Sequence, residues 1–108
     1  MPKKIARSEK LHTLVQERLR VWGSCIKKQR ITQKIAVKDL CARMDISDAT
    51  LRRLEKGDPG AGVGSYMSAL LILGVIDKAV PLLDLHLWIP SARSRVRIAV
   101  TEGNVDDF

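Results

Sequence analysis

Aromatic side chains are scarce in this chain: two Trp, one Tyr and one Phe, placed at Trp22, Trp88, Tyr66 and Phe108. Any core must therefore be built mainly from aliphatic residues. Cysteine is nearly missing too. Cys25 and Cys41 stand sixteen positions apart, with no second pair and no His at metal-ligand spacing. That pattern reads as two reduced, half-buried thiols, not as a disulfide or a zinc site, and it fits a reducing cytoplasm. The chain starts with the basic stretch Met1-Pro-Lys-Lys-Ile-Ala-Arg7, but no uninterrupted apolar run follows, so neither a signal nor a membrane segment is expected. Internal repeats and low-complexity tracts are absent from the sequence. So are the pairings that catalysis needs: His12 and His86 lack evident partners, and no Ser/His/Asp, Cys/His or paired-carboxylate arrangement stands out. This argues against an enzyme, and no cofactor or metal is expected.

Negative charge is also in deficit. Twelve Asp and Glu face 19 Lys and Arg, for a formal net charge of +7 and a pI near 9.9. Such a balance in a small chain favours an anionic partner, either nucleic acid or an acidic membrane surface. The 108 residues leave room for one domain and a short arm. Residues 1–9 read as a basic tail, 10–89 as the domain, and 90–108 as a C-terminal strand and tail.

Apolar periodicity orders the domain. Leu11, Leu14, Val15, Leu19, Trp22 and Ile26 recur every three or four residues and predict a helix from Lys10 to Arg30, which Gly23 weakens without ending. Residues 31–35 are expected to be a loop. Val37, Leu40, Cys41 and Met44 predict a short second helix, broken at Asp45-Ile46. Ser47 is a good N-cap for a third helix from about Asp48 to Lys56. Gly57 stands where a left-handed C-terminal cap belongs, and Pro59 prevents continuation. A fourth helix is expected from Ser65, as cap, to Leu73, with Tyr66, Met67, Leu70 and Leu73 inward. A fifth is expected from Asp77, as cap, to about Leu85. In the tail, Val96, Ile98 and Val100 alternate with Arg95, Arg97 and Ala99, the period of a half-buried strand.

Residues 36–57 carry the strongest signal. Two short helices joined by a three-residue turn must cross steeply, and a small residue is needed where backbones approach; Cys41 qualifies. Leu40, Met44, Ile46, Leu51 and Leu54 supply inward anchors. At about 100° per residue, Leu51 and Leu54 share one side of the third helix, while Ala49, Arg52, Arg53 and Lys56 fall on the other. The exposed side then carries three cations on a helix whose N-terminus is itself electropositive. Such a face suits insertion between two phosphate chains.

The segment Ile46-Ser-Asp-Ala-Thr-Leu-Arg-Arg-Leu-Glu-Lys-Gly57 resembles the recognition helix of the Cro/repressor-type (Xre-like) helix-turn-helix family. Its continuation through Gly74 is similar to members that include HipB-type antitoxins. The resemblance spans about residues 10–85. It implies an all-α, five-helix domain with its motif at 36–57 and recognition helix at 47–56. It also implies a homodimeric transcriptional regulator, most simply a repressor on a palindromic operator, with a cognate toxin as a further partner if the chain is an antitoxin. Carried over by position, Asp48, Ala49 and Arg53 would read bases with Thr50 and Arg52 nearby, while Arg43 and Lys56 would grip phosphates. Many family members place Gln where Val37 stands; that contact is lost or taken over by Lys34 or Lys38. They place Gly where Asp45 stands, and Asp tolerates the left-handed conformation better than most residues. The resemblance also pairs Glu55 with Lys27, Lys28 or Arg30. Asp48 either supports the helix dipole or accepts from a cytosine. Leu85, Leu87, Trp88 and Ile89 are hard to bury in one subunit, and the strand 94–101 lacks a partner, so Trp88, Val96, Ile98 and Val100 are candidate dimer residues. The competing class is a module that binds a partner protein through its apolar helices without specific DNA recognition.

Overall fold

The computed structural model describes residues 12–91. Those residues are all-α, with no strand among them. The helices are α1 (Thr13–Thr32), α2 (Val37–Met44), α3 (Asp48–Lys56), α4 (Val63–Ile72), α5 (Ile76–Ala79) and α6 (Leu85–Trp88), with a 3₁₀ turn at Pro59–Ala61. The basic tail and the expected strand, with Val96, Ile98 and Val100, lie outside the described residues. Among the described residues no helix is long and apolar enough to cross a membrane.

The core is aliphatic, as the lack of aromatics requires. Ile26, Leu40, Cys41, Leu51, Leu54, Ala69, Leu70 and Leu73 are buried around a single ring, Tyr66. Trp22 packs beside Tyr66 at 5.9 Å between centroids. The Tyr66 hydroxyl donates to the Asp58 carbonyl at 2.8 Å, so the only polar atom of that side chain is satisfied. Burial pushes its pKa up to about 12.

One capping geometry ends four successive helices. In each, the left-handed residue donates to the carbonyl three back, and the next residue donates to the carbonyl five back: Lys34 to Ile31 and Ile35 to Arg30; Asp45 to Ala42 and Ile46 to Cys41; Gly57 to Leu54 and Asp58 to Arg53; Gly74 to Leu71 and Val75 to Leu70. This is the Schellman arrangement. Three of the four following residues, Ile35, Ile46 and Val75, then pack on the core, so the cap also steers each chain reversal. Gly57 (φ 83°) and Gly74 (φ 80°) take the left-handed position without strain, whereas Lys34 (φ 59°) and Asp45 (φ 57°) are side-chain-bearing residues forced into it.

Expectations for α1, α4 and the segment after it need correction. Helix α1 runs from Thr13 to Thr32, capped by His12 Nδ1 accepting from the Leu14 amide at 3.0 Å; Leu14 and Val15, expected inward, are exposed. Ser65 does not cap α4. The 3₁₀ turn leads directly into it through Gly62 (φ 85°, ψ 139°), so the helix begins at Val63. Its buried stripe is Tyr66, Ala69, Leu70 and Leu73, and Met67 faces out. Finally, the single helix expected at 77–85 is two one-turn helices. The first starts at Ile76, not behind an Asp77 cap, and ends at Ala79. Pro81 then lacks the amide a continuing helix needs and disfavours the helical conformation at Val80, which stands at φ −136°, ψ 72°.

Candidate nucleic-acid interface

Helix α3 is held from three directions. Leu51 and Leu54 are buried beneath it, each burial stabilising by about 1.5–3 kcal/mol. At its N-terminus the Ser47 hydroxyl accepts from the Thr50 amide at 3.1 Å, with the Thr50 hydroxyl 3.0 Å from the same oxygen. Thr50 is thus tied to the cap and half-buried. Asp48 sits in the first turn, complementing the dipole. Burial pushes the Cys41 thiol pKa up, and the nearby Asp48 carboxylate adds to that shift.

The third hold is α1. Its Gly23 is buried against the last turn of α3: a Cβ added there would lie 2.4 Å from the Leu54 carbonyl oxygen and 2.9 Å from both the Glu55 oxygen and the Gly57 nitrogen. A Cβ at Gly57 would in turn lie 2.6 Å from the Arg20 Cα. The backbones of α1 and α3 therefore approach closely at two glycines. From the sequence alone Cys41 is the small crossing residue and Gly23 only a weak point in its helix. Its position inside the stripe Leu19, Trp22, Ile26 was the available signal.

Beside that crossing, Arg30 reaches Glu55. The Arg30 Nε donates to Glu55 Oε2 at 2.8 Å, its Nη2 approaches Oε1 at 3.4 Å, and its Nη1 donates to the Ile35 carbonyl at 3.3 Å. Both side chains are nearly buried, at 12% and 10% exposure. Of the three cations considered for Glu55, the partner is Arg30. The hydrogen bonds to Glu55 raise the Arg30 pKa further, so the guanidinium stays charged under all ordinary conditions.

With α3 fixed in this way, Ala49, Arg52, Arg53 and Lys56 all remain exposed on its outer side. Arg52 makes no hydrogen bond or ion pair among the described residues. Arg53 does: its Nε lies 3.3 Å from Asp58 Oδ2, while Asp58 Oδ1 accepts from the Gly60 amide at 2.8 Å. Sequence reasoning missed Asp58 in this role. On α2, Lys38 is exposed and Arg43 pairs with Asp39 at 3.2 Å, both half exposed. Each of these surface pairs is worth under about 1 kcal/mol, so an anionic ligand can displace either carboxylate. Trp88 stands apart from this face. It lies on α6, is exposed, and donates from Nε1 to the Leu83 carbonyl at 3.3 Å.

Among the described residues no cluster of His, Cys, Asp or Glu is arranged to hold a metal ion. Searches of protein-family models, of curated proteins and of solved structures find no match to this chain.

Proposed function

We propose that this chain is a sequence-specific DNA-binding regulator that inserts α3 into the major groove. It acts as a repressor on a two-fold operator and works as a homodimer. One observation carries the reading. Ala49, Arg52, Arg53 and Lys56 are all exposed on one side of a rod whose other side is anchored by Leu51 and Leu54, and of the four only Arg53 pairs with another described residue, Asp58. A helix held this rigidly presents first-turn positions to base edges while its cations meet bases or phosphates. Ala49 is small enough to let the helix approach the bases. Arg52 and Arg53 offer guanidinium forks suited to guanine, with Arg53 exchanging Asp58 for the duplex. Lys56, Lys38 and Arg43 lie where phosphates flank an inserted helix. An antitoxin role, with a toxin as second partner, belongs to the same reading and rests on the resemblance alone.

A second reading is favoured by the exposed apolar run after Pro81: a module that docks a partner protein and reads no DNA. Selection of bound duplexes from a random pool separates the two. The proposal expects an enriched motif with two-fold symmetry and a half-site spacing set by the dimer. Recovery of no motif refutes it.

A further inference from the structure

A single copy of this chain carries both a groove and a plug that does not fill it. The groove encloses about 670 Å³ between α1 and the segment around α5, with Val21, Trp22 and Cys25 on one wall and Val75 and Ala79 on the other, and Arg18 and Lys78 also line it. The plug follows directly in sequence. Leu82, Leu83, Leu85, Leu87 and Trp88 are all at least 56% exposed, and Leu82 reaches 93%. They belong to an extended stretch and to the single turn α6, which has no buried residue. No residue beyond Ala79 lines the groove. An apolar run this dense is unusual on the surface of a solitary domain, and one helical turn has little stability of its own.

We propose that residues 82–89 of one copy seat in the α1/α5 groove of a second copy, and that the exchange is reciprocal. Two features favour a second copy over a return onto the same groove. Val80 leaves the helical region (φ −136°, ψ 72°) and Pro81 cannot continue α5, so the chain past Ala79 does not line its own groove. The tether left for a return, residues 80 and 81 between the Ala79 wall and the seated segment, spans at most about 7 Å. A third feature is charge. From Ala79 to Ala92 the sequence has no Lys or Arg, and its one fixed charge is Asp84. The groove presents Arg18 and Lys78 to it. A two-fold exchange fills both grooves and covers both plugs with one kind of contact, leaving neither unpaired.

Cys25, in the groove wall, provides the test. Two differently tagged full-length chains are mixed under mild oxidation. One keeps Cys25; the other carries Cys25→Ser with Trp88→Cys or Leu85→Cys. The expected result is a disulfide joining the two tags, mapped by mass spectrometry to Cys25 and the introduced thiol. In the unaltered protein, Cys25 should alkylate several-fold more slowly at high micromolar than at nanomolar concentration. The proposal is overturned by a chain that stays monomeric at high micromolar concentration. A dimer whose Cys25 alkylates at the monomer's rate overturns it too, as does a dimer that forms no disulfide between the two tags with either introduced thiol. Neither readout involves DNA: a monomer would also remove the homodimer from the proposed function, a dimer with freely reactive Cys25 overturns the exchange alone, and selection of bound duplexes tests DNA reading independently.

Discussion

Replacing Gly23 by Ala sets two effects of opposite sign against each other. Mid-helix, Ala is favoured over Gly by about 1 kcal/mol. Against this, the new methyl would sit 2.4 Å from the Leu54 carbonyl oxygen, about 1 Å inside ordinary contact. Two further backbone atoms lie at 2.9 Å. All three belong to the backbone at the end of α3, so no side chain can swing aside. Relief requires α1 and α3 to separate, lifting Leu54 and Ile26 from the core and straining the Arg30–Glu55 pair. Overpacking costs about 1–3 kcal/mol, and with three rigid backbone atoms inside contact the upper end applies, which leaves a net destabilisation of about 2 kcal/mol after the propensity gain. For a domain of this size that lowers the melting temperature by about 8–16 °C. Thermal melts followed by circular dichroism read this directly. A Gly23→Ala protein as stable as the parent, or more so, refutes the account of how α3 is positioned.

The nearly buried ion pair predicts that Glu55→Ala costs about 3 kcal/mol, because Arg30 is left charged and unpaired, whereas Arg30→Met with Glu55→Leu recovers most of that loss; urea titrations of the parent and the two variants check both halves. Lys34→Gly should stabilise by about 0.5–1 kcal/mol, since relief of the left-handed strain exceeds the entropy of the new glycine. Asp45→Gly should gain less, and both are read as a higher urea midpoint at constant slope. Tyr66 is protonated more tightly in the folded chain, with its pKa at about 12 against an unfolded value near 10. Its contribution of about 2–3 kcal/mol is therefore intact below pH 10 and lost as pH rises through 12. Stability measured from pH 9 to 12 should fall more steeply in the parent than in Tyr66→Phe, and parallel curves refute this.

The part of the fold legible in the sequence is the part governed by local chemistry. Ser47, the Leu51/Leu54 spacing and Gly57 fix the ends and the inner face of α3, and all three signals are short-range. Where distant contacts decide, the sequence is silent. Nothing local distinguishes Arg30 from Lys27 or Lys28 as the partner of Glu55; only the crossing of α1 over α3 does. The left-handed turn at Lys34 has no glycine to announce it and is imposed by Ile35 packing on the core and Gln33 donating to the Leu73 carbonyl at 2.8 Å. At the C-terminal side the sequence predicts one helix from Asp77 to about Leu85, but the placement of Pro81 beyond the end of α5 divides it. The candidate face itself followed from helical geometry, while the engagement of Arg53 by Asp58 depends on the turn after α3.

The central claim is that the outer side of α3 meets a duplex, and a salt titration of DNA affinity tests it most directly. The parent protein is compared with Arg52→Ala/Arg53→Ala/Lys56→Ala on a selected operator and on a scrambled duplex of equal length. For the parent, the account predicts affinity falling linearly in log–log form as salt rises, with clear preference for the operator. The triple variant should keep most of the parent's thermal stability yet lose that preference and show a shallower salt slope. Parent affinity indifferent to salt, or a folded triple variant that binds and discriminates like the parent, would contradict it.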